Sequence, residues 1–349
     1  NWQRESWCVG SAWSNSPVLA PILNEHDPQK QRLRYTACPA FHSTGKCYFM
    51  WFRSLRPYRL PSRLGIDAQE LERRLQSRPF TACSPAQATS LGWVPALDET
   101  ASALVHAAGP YWMVRLKREE KILPATVVRE QANERCSQIA KAQGRKVSRR
   151  ERQAITDEVT QDLLPRAFSR STSVRAIIAD RAGWIWVDSS SAGRSEEVLN
   201  HLREALGNLP VVLPETQKAP AHVMTQWLLH QSLPESVELA DEADFIDQRE
   251  EGSSVKVRGV PLDSEEVLAH LSSGHQVARL ALEWGNRVAA VVDKDLSFRR
   301  LKFTDAIREA NDELIEDPLA RADADFLILC EILEGLQTAM VKAFGGLAE

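Results

Sequence analysis

An α+β fold of mixed sheet units, with a basic helical hairpin projecting from them and a helical C-terminal region, is predicted for this 349-residue chain by three observations. Strand-like runs of bulky and β-branched residues stand apart from one another, at 111–116, 182–188 and 277–284. Between the first two, residues 125–164 change to Ala, Gln, Glu, Lys and Arg, the composition of a solvated helix. Residues 305–347 are again helical, with Phe326, Leu327, Leu329, Ile332, Leu333 and Leu336 forming a broad apolar face. The elements are mixed rather than doubly wound.

In chain order, residues 1–49 hold three of the six Cys and three Trp but no sustained helical or strand period. They are expected to be a disordered or non-native extension. The organised part is expected to start at Met50, where Trp51-Phe52-Arg53-Ser54-Leu55 opens an N-terminal α+β part over 50–124. Asp67 followed by Glu70, with Leu71 and Leu75 on one face, predicts a capped helix. The same start signal recurs at Ser195-Glu-Glu and Ser264-Glu-Glu, within a central α+β part over 176–304. Residues 125–175 are read as a helical hairpin and its tip, broken near Gly144 and Ser148 and stopped at Pro165. The helical region 305–349 offers a face for packing or dimerisation.

No run of 18 apolar residues occurs, so no membrane partner is expected. The opening residues lack a basic start with an apolar stretch and cleavage site, and a cytoplasmic location is expected. The six cysteines are scattered, with neither a C-x-x-C pair nor zinc-type spacing, so no structural metal is expected. Net charge is -4, yet residues 115–170 carry fourteen Lys/Arg against eight Asp/Glu, a local balance of +6. Such asymmetry suits a basic surface facing phosphate on an otherwise acidic body; a solvated helical hairpin would show it as well.

The basic residues fall into groups. Lys117, Arg118 and Lys121 flank Glu119-Glu120, and Arg145, Lys146, Arg149, Arg150 and Arg152 gather at the hairpin bend. Such a spread supplies phosphate contacts without arrayed base readers, which predicts sequence-independent binding. Arg166, Phe168 and Arg170 set an aromatic between two cations, either to wedge into an unstacked duplex or to fill a pocket on a partner subunit. Lys256 and Arg258 alternate with Val255 and Val257, and so point to one side of a strand. Arg299, Arg300 and Lys302 form a further strand-like group; both groups suit either a phosphate-facing surface or a solvated edge.

A competing enzyme reading is a metal-dependent nuclease using Glu119 and Lys121 with Asp98 or Glu99 upstream. It is weakened because 99–119 shows no clear strand-turn-strand frame. The stretch 40–47 matches a P-loop only at Gly45-Lys46, and no G-x-S-x-G or H-E-x-x-H occurs. A third class is an interaction module whose basic hairpin grips an acidic protein.

From Met50 to about Gly346 the chain resembles the RdgC family of proteobacterial recombination-associated proteins. The resemblance is carried by Trp51-Phe-Arg-Ser-Leu, Tyr58-Arg-Leu, Leu91-Gly-Trp-Val-Pro95, Arg118-Glu-Glu-Lys-Ile-Leu-Pro124, Leu163-Leu-Pro-Arg-Ala-Phe-Ser-Arg170, Leu209-Pro-Val-Val212, Arg300-Leu-Lys-Phe303 and Asp323-Ala-Asp-Phe326. It implies a ring-shaped homodimer, closed at two interfaces around a positively charged hole, that binds double- and single-stranded DNA with little sequence preference. It further implies a nucleoid-associated protein that restrains RecA-promoted strand exchange without catalysis or cofactor. By the same resemblance Phe168 sits at the tip where the ring closes, and Arg118, Lys121, Arg300 and Lys302 are its basic positions. Gly259-Val260 stands where a relative carries Lys-Gln, and Lys256 and Arg258 are taken as substitutes from upstream.

Overall fold

A computed structural model describes residues 51–97, 101–247, 253–311, 315 and 317–348. The extension 1–49 and Met50 lie outside them. The elements in order are β1 (Ser54–Arg59), α1 (Ala68–Leu75), β2 (Thr89–Val94), β3 (Val105–Ala108), β4 (Tyr111–Ile122), α2 (Ala125–Gln143) and α3 (Arg149–Leu163). A 3-10 turn (Leu164–Arg166) leads to β5 (Phe168–Ala179), β6 (Trp184–Val187), α4 (Ala192–Leu206), α5 (Pro220–His230), β7 (Val237–Asp247) and β8 (Ser254–Arg258). The chain ends with α6 (Glu265–Ser272), β9 (His275–Trp284), β10 (Val288–Asp293), β11 (Phe298–Phe303), α7 (Asp305–Arg308) and α8 (Pro318–Ala343).

The α+β class is observed, but the expected mixed sheet units are one sheet. Its order is β2-β4-β5-β6-β1-β11-β10-β9-β7-β8, with β3 added on β4. Every pairing between these strands is antiparallel. The units fuse because β1 changes partner along its length. Ser54 and Leu55 pair with Arg299 and Phe298, whereas Arg56 to Arg59 pair with Val187 to Trp184.

Local signals set most helix ends. Asp67 accepts the Glu70 backbone N–H at 2.8 Å, and Leu71 and Leu75 below it are fully buried. Ser148 and Glu151 make a reciprocal capping box for α3, and Gly144 ends α2 at φ 63°, a left-handed position that favours glycine. The start expected at Ser195 is displaced. Helix α4 begins one turn earlier, after Ser191, and Ser195 is a buried interior residue whose hydroxyl donates to the Ser191 carbonyl at 3.1 Å. Ser264 does precede α6, although without a side-chain cap. The missing strand-turn-strand frame is also corrected: β3 and β4 form a hairpin about Gly109, at φ 56°.

Two faces of the sheet are covered. On one side α1 and α4 lay Leu71, Leu75, Val198 and Leu202 over Val114, Ile178 and Ile185. On the other, α8 turns its apolar face inward, and Phe326, Leu329, Leu333 and Leu336 join Met113, Ile177, Trp186, Leu282 and Val292. Each such side chain contributes about 1.5–3 kcal/mol by leaving water. Only Leu327 of the predicted α8 face is half-buried. The hairpin has a small core of its own, Val128, Ala132, Cys136, Ile155 and Val159.

Candidate nucleic-acid interface

Strand β4 runs unbroken to Ile122, so its side chains alternate between faces through the whole basic block. Lys117, Glu119 and Lys121 share one face, and Arg118 and Glu120 take the other. The three cations that are adjacent in sequence are therefore divided. Lys117 Nζ lies 4.9 Å from the centroid of the Phe80 ring. Phe80 can lie there because Gly92 carries no side chain: a Cβ would come 2.3 Å from the Phe80 backbone. Arg118 is held by Glu120 at 3.3 Å and by Glu197 of α4.

The nuclease set is partly visible. Glu119 accepts the Cys83 backbone N–H at 2.6 Å, and that bond holds its carboxyl below the usual range. Burial and this same carboxylate push the Cys83 thiol up. Asp98 and Glu99 lie outside the described residues. Among the described residues no group of His, Cys, Asp and Glu is placed to hold a metal ion.

At the hairpin bend an ion pair engages Arg145 with Glu151 at 2.5 Å, and away from the bend, between the two helices, Arg135 meets Asp162 at 2.6 Å. Arg152 donates to Asn133 at 2.8 Å. Lys146, Arg149 and Arg150 are exposed and, among the described residues, join none of these pairs. Where β5 leaves the 3-10 turn, Phe168 is 85% exposed and stands opposite Ile122, itself 48% exposed. Arg166 and Arg170 flank it, both exposed, and Arg170 stands opposite Glu120.

The second basic surface lies across β7 to β11. Lys256 and Arg258 do share the exposed side of β8, as their alternation predicts. Arg258 pairs with Glu242 at 3.3 Å, and Arg300 reaches the same carboxylate at 2.6 Å. Arg299 meets Asp293 at 3.3 Å, and Arg279 links Asp293 at 2.8 Å to Asp244 at 3.1 Å. Lys302 is exposed. Arg300 has φ 53°, and the β10–β11 register shifts between Ala289 and Val291, so a bulge re-aims these cations. Sequence reading missed Glu242, Asp244 and Arg279. Glu242 and Asp244 sit two apart on a strand and therefore share a face, a signal available in the alternation of β7.

Fold and surfaces together define a single-sheet α+β protein with cations at a helical bend, at the outer ends of β4 and β5, and in a carboxylate-laced ladder over β7 to β11. The chain belongs to the RdgC family: the family model described as "Putative exonuclease, RdgC" matches residues 50–347. Similar proteins include "Recombination-associated protein RdgC" of Shewanella sp. (strain ANA-3), 42% identical over 302 residues, which are 86% of this chain and 99% of the relative. The protein of the same name from Halorhodospira halophila is 42% identical over 298 residues, 85% of this chain and 98% of the relative.

Proposed function

We propose that the chain is a sequence-independent DNA-binding protein acting in recombination, which forms a dimeric ring around duplex DNA and restrains RecA-promoted strand exchange. The observation that carries this reading is the hairpin bend, where Lys146, Arg149 and Arg150 are exposed outside the local ion pairs. Long cations held on a two-helix platform with its own core can follow phosphates without reading bases. In this reading the hairpin projects from the sheet, and the exposed Phe168 beside Ile122 is the apolar contact through which a second copy closes the ring. Arg166 and Arg170 border the closure, and Lys256, Arg258, Arg299, Arg300 and Lys302 line the DNA-facing side. The relatives' printed name supports the recombination role. Single strands bind through the same phosphate contacts, and the protein works in the nucleoid without catalysis or cofactor.

The family description supplies a second reading, an exonuclease built on Glu119 and Lys121. Its carboxylate is already committed to the Cys83 N–H, which favours the non-catalytic reading. One experiment separates them. A fluorescent random-sequence duplex, titrated at several salt concentrations, is expected to bind with steep salt dependence and no sequence preference. The same DNA incubated with magnesium is expected to stay full length. Absence of binding at low salt would overturn the first reading, and shortened strands would install the second.

A further inference from the structure

Where β1 ends and the β5–β6 turn begins, the surface forms an open cleft of about 320 Å³. Arg59, Arg63 and Arg181 line it together with Trp184, and Asp180 is the single carboxylate among its lining residues. Its walls are tied in place by backbone. Leu60 N–H donates to Gly183 carbonyl oxygen at 2.8 Å, and Arg59 stands directly opposite Trp184 in the antiparallel register. Gly183 has φ 76°, and a Cβ there would press to 3.2 Å on the Leu60 carbonyl, so glycine lets the two segments approach. Asp180 is already engaged, since its Oδ1 accepts the Leu64 N–H at 2.7 Å and pins the segment that carries Arg63. The last wall is Leu347, opposite Thr216, with the next residue's N–H donating to the Glu215 carbonyl at 2.9 Å.

Among the described residues, no ion pair engages Arg59, Arg63 or Arg181. Three arginines lining one cleft, against a single carboxylate among the lining residues, give it a local positive potential suited to an anion. Guanidinium forks match the oxygens of phosphate in paired hydrogen bonds. The volume falls at the lower end of the range for small-molecule sites, about 300–1,000 Å³. Trp184, half-buried in the same wall, adds an aromatic surface for a flat ring.

We propose that this cleft binds a phosphate monoester attached to a nucleoside, either a free nucleotide or the 5′-phosphate end of a DNA strand. None of its residues belongs to the surfaces assigned above to duplex binding, so the two readings can fail separately. The site is preformed, and the arginines supply the binding energy while the ring selects nucleoside over inorganic phosphate.

Titration calorimetry of the full chain with AMP, adenosine and inorganic phosphate tests it. AMP is expected to bind in the submillimolar range, phosphate more weakly and adenosine not measurably. The exposed pair Arg63→Gln with Arg181→Gln is expected to weaken AMP by about tenfold or more while leaving random-duplex affinity unchanged, and Trp184→Phe by a few-fold. Competition between 5′-phosphorylated and 5′-hydroxyl oligonucleotides separates the sources: a preference for the phosphorylated end that disappears in the arginine variant assigns the strand end, and AMP binding without such a preference assigns the free nucleotide. No saturable AMP binding together with no end preference overturns the proposal, as would equal binding of adenosine. Loss of duplex binding in the wild-type chain would sink the DNA reading and leave this one intact.

Discussion

The hairpin bend and the β7–β11 face are both rich in arginine, but they hold it in different states. At the bend Lys146, Arg149 and Arg150 stand outside the ion pair that Arg145 makes with Glu151. On the sheet face Arg258, Arg279, Arg299 and Arg300 are each met by Glu242, Asp244 or Asp293. A guanidinium already paired must exchange a carboxylate for a phosphate, and so releases fewer counterions than one standing in water. Number of basic residues is therefore a poor measure of phosphate contacts.

The largest expected effect is on the free cations. Replacing Lys146, Arg149 and Arg150 with alanine should weaken duplex binding by about tenfold to a hundredfold at moderate salt. A loss under threefold in a fluorescence titration would erase the difference between the regions. Next is the carboxylate that joins the ladder. Asp293, 9% exposed at its side chain, serves both Arg279 and Arg299, and Asp293→Ala leaves two cations short of a partner. We expect a loss of about 2 kcal/mol in urea unfolding, below the cost of breaking a fully buried pair because both arginines are about a third exposed. An unchanged midpoint would mean that the ladder contributes nothing to stability.

A pH effect of similar or smaller size is expected where β3 meets α8. Burial holds the His106 imidazole down to about 4, and its ring packs edge-on against Phe326 at 5.0 Å. Asp323 Oδ1 lies 3.3 Å from Nε2 but makes no hydrogen bond to it, so the nearby carboxylate does not offset burial. The folded value lies below the ordinary value of 6.5, so the unfolded chain takes up the proton first. Stability should be full above pH 6.5 and fall by about 2 kcal/mol as pH drops to about 5. His106→Phe should flatten that window in thermal melts, and a slope unchanged by the substitution would assign it elsewhere. The smallest effect is a gain. Glu242→Gln releases Arg258 and Arg300 and should tighten duplex binding by about two- to threefold, whereas weaker binding would show that Glu242 positions them for DNA.

Local devices were legible in the sequence. Asp67, Gly144 and Ser148 mark helix ends through bonds and dihedral angles that involve only near neighbours. Ser195 misled because a hydroxyl can bond the carbonyl four residues back as readily as cap a helix, and Ser191 already stood a turn ahead. The single sheet was hidden because it depends on β1 pairing with strands far along the chain on each side. For the candidate site, the positions of the cations could be read, including the shared side of Lys256 and Arg258. Their partners could not, since Glu242, Asp244 and Asp293 reach the arginines only when β7, β9, β10 and β11 lie side by side.

The difference between free and paired cations is tested most directly by the salt dependence of duplex affinity in three proteins: wild type, a bend variant with Lys146, Arg149 and Arg150 changed to alanine, and a ladder variant with Arg258, Arg299 and Arg300 so changed. The bend variant should lower the slope of log affinity against log salt by about 2–3, one near-unit step per lost phosphate contact, and the ladder variant by less than about 1. Equal reductions, or a larger one in the ladder variant, would contradict the assignment of the bend as the principal phosphate-binding surface.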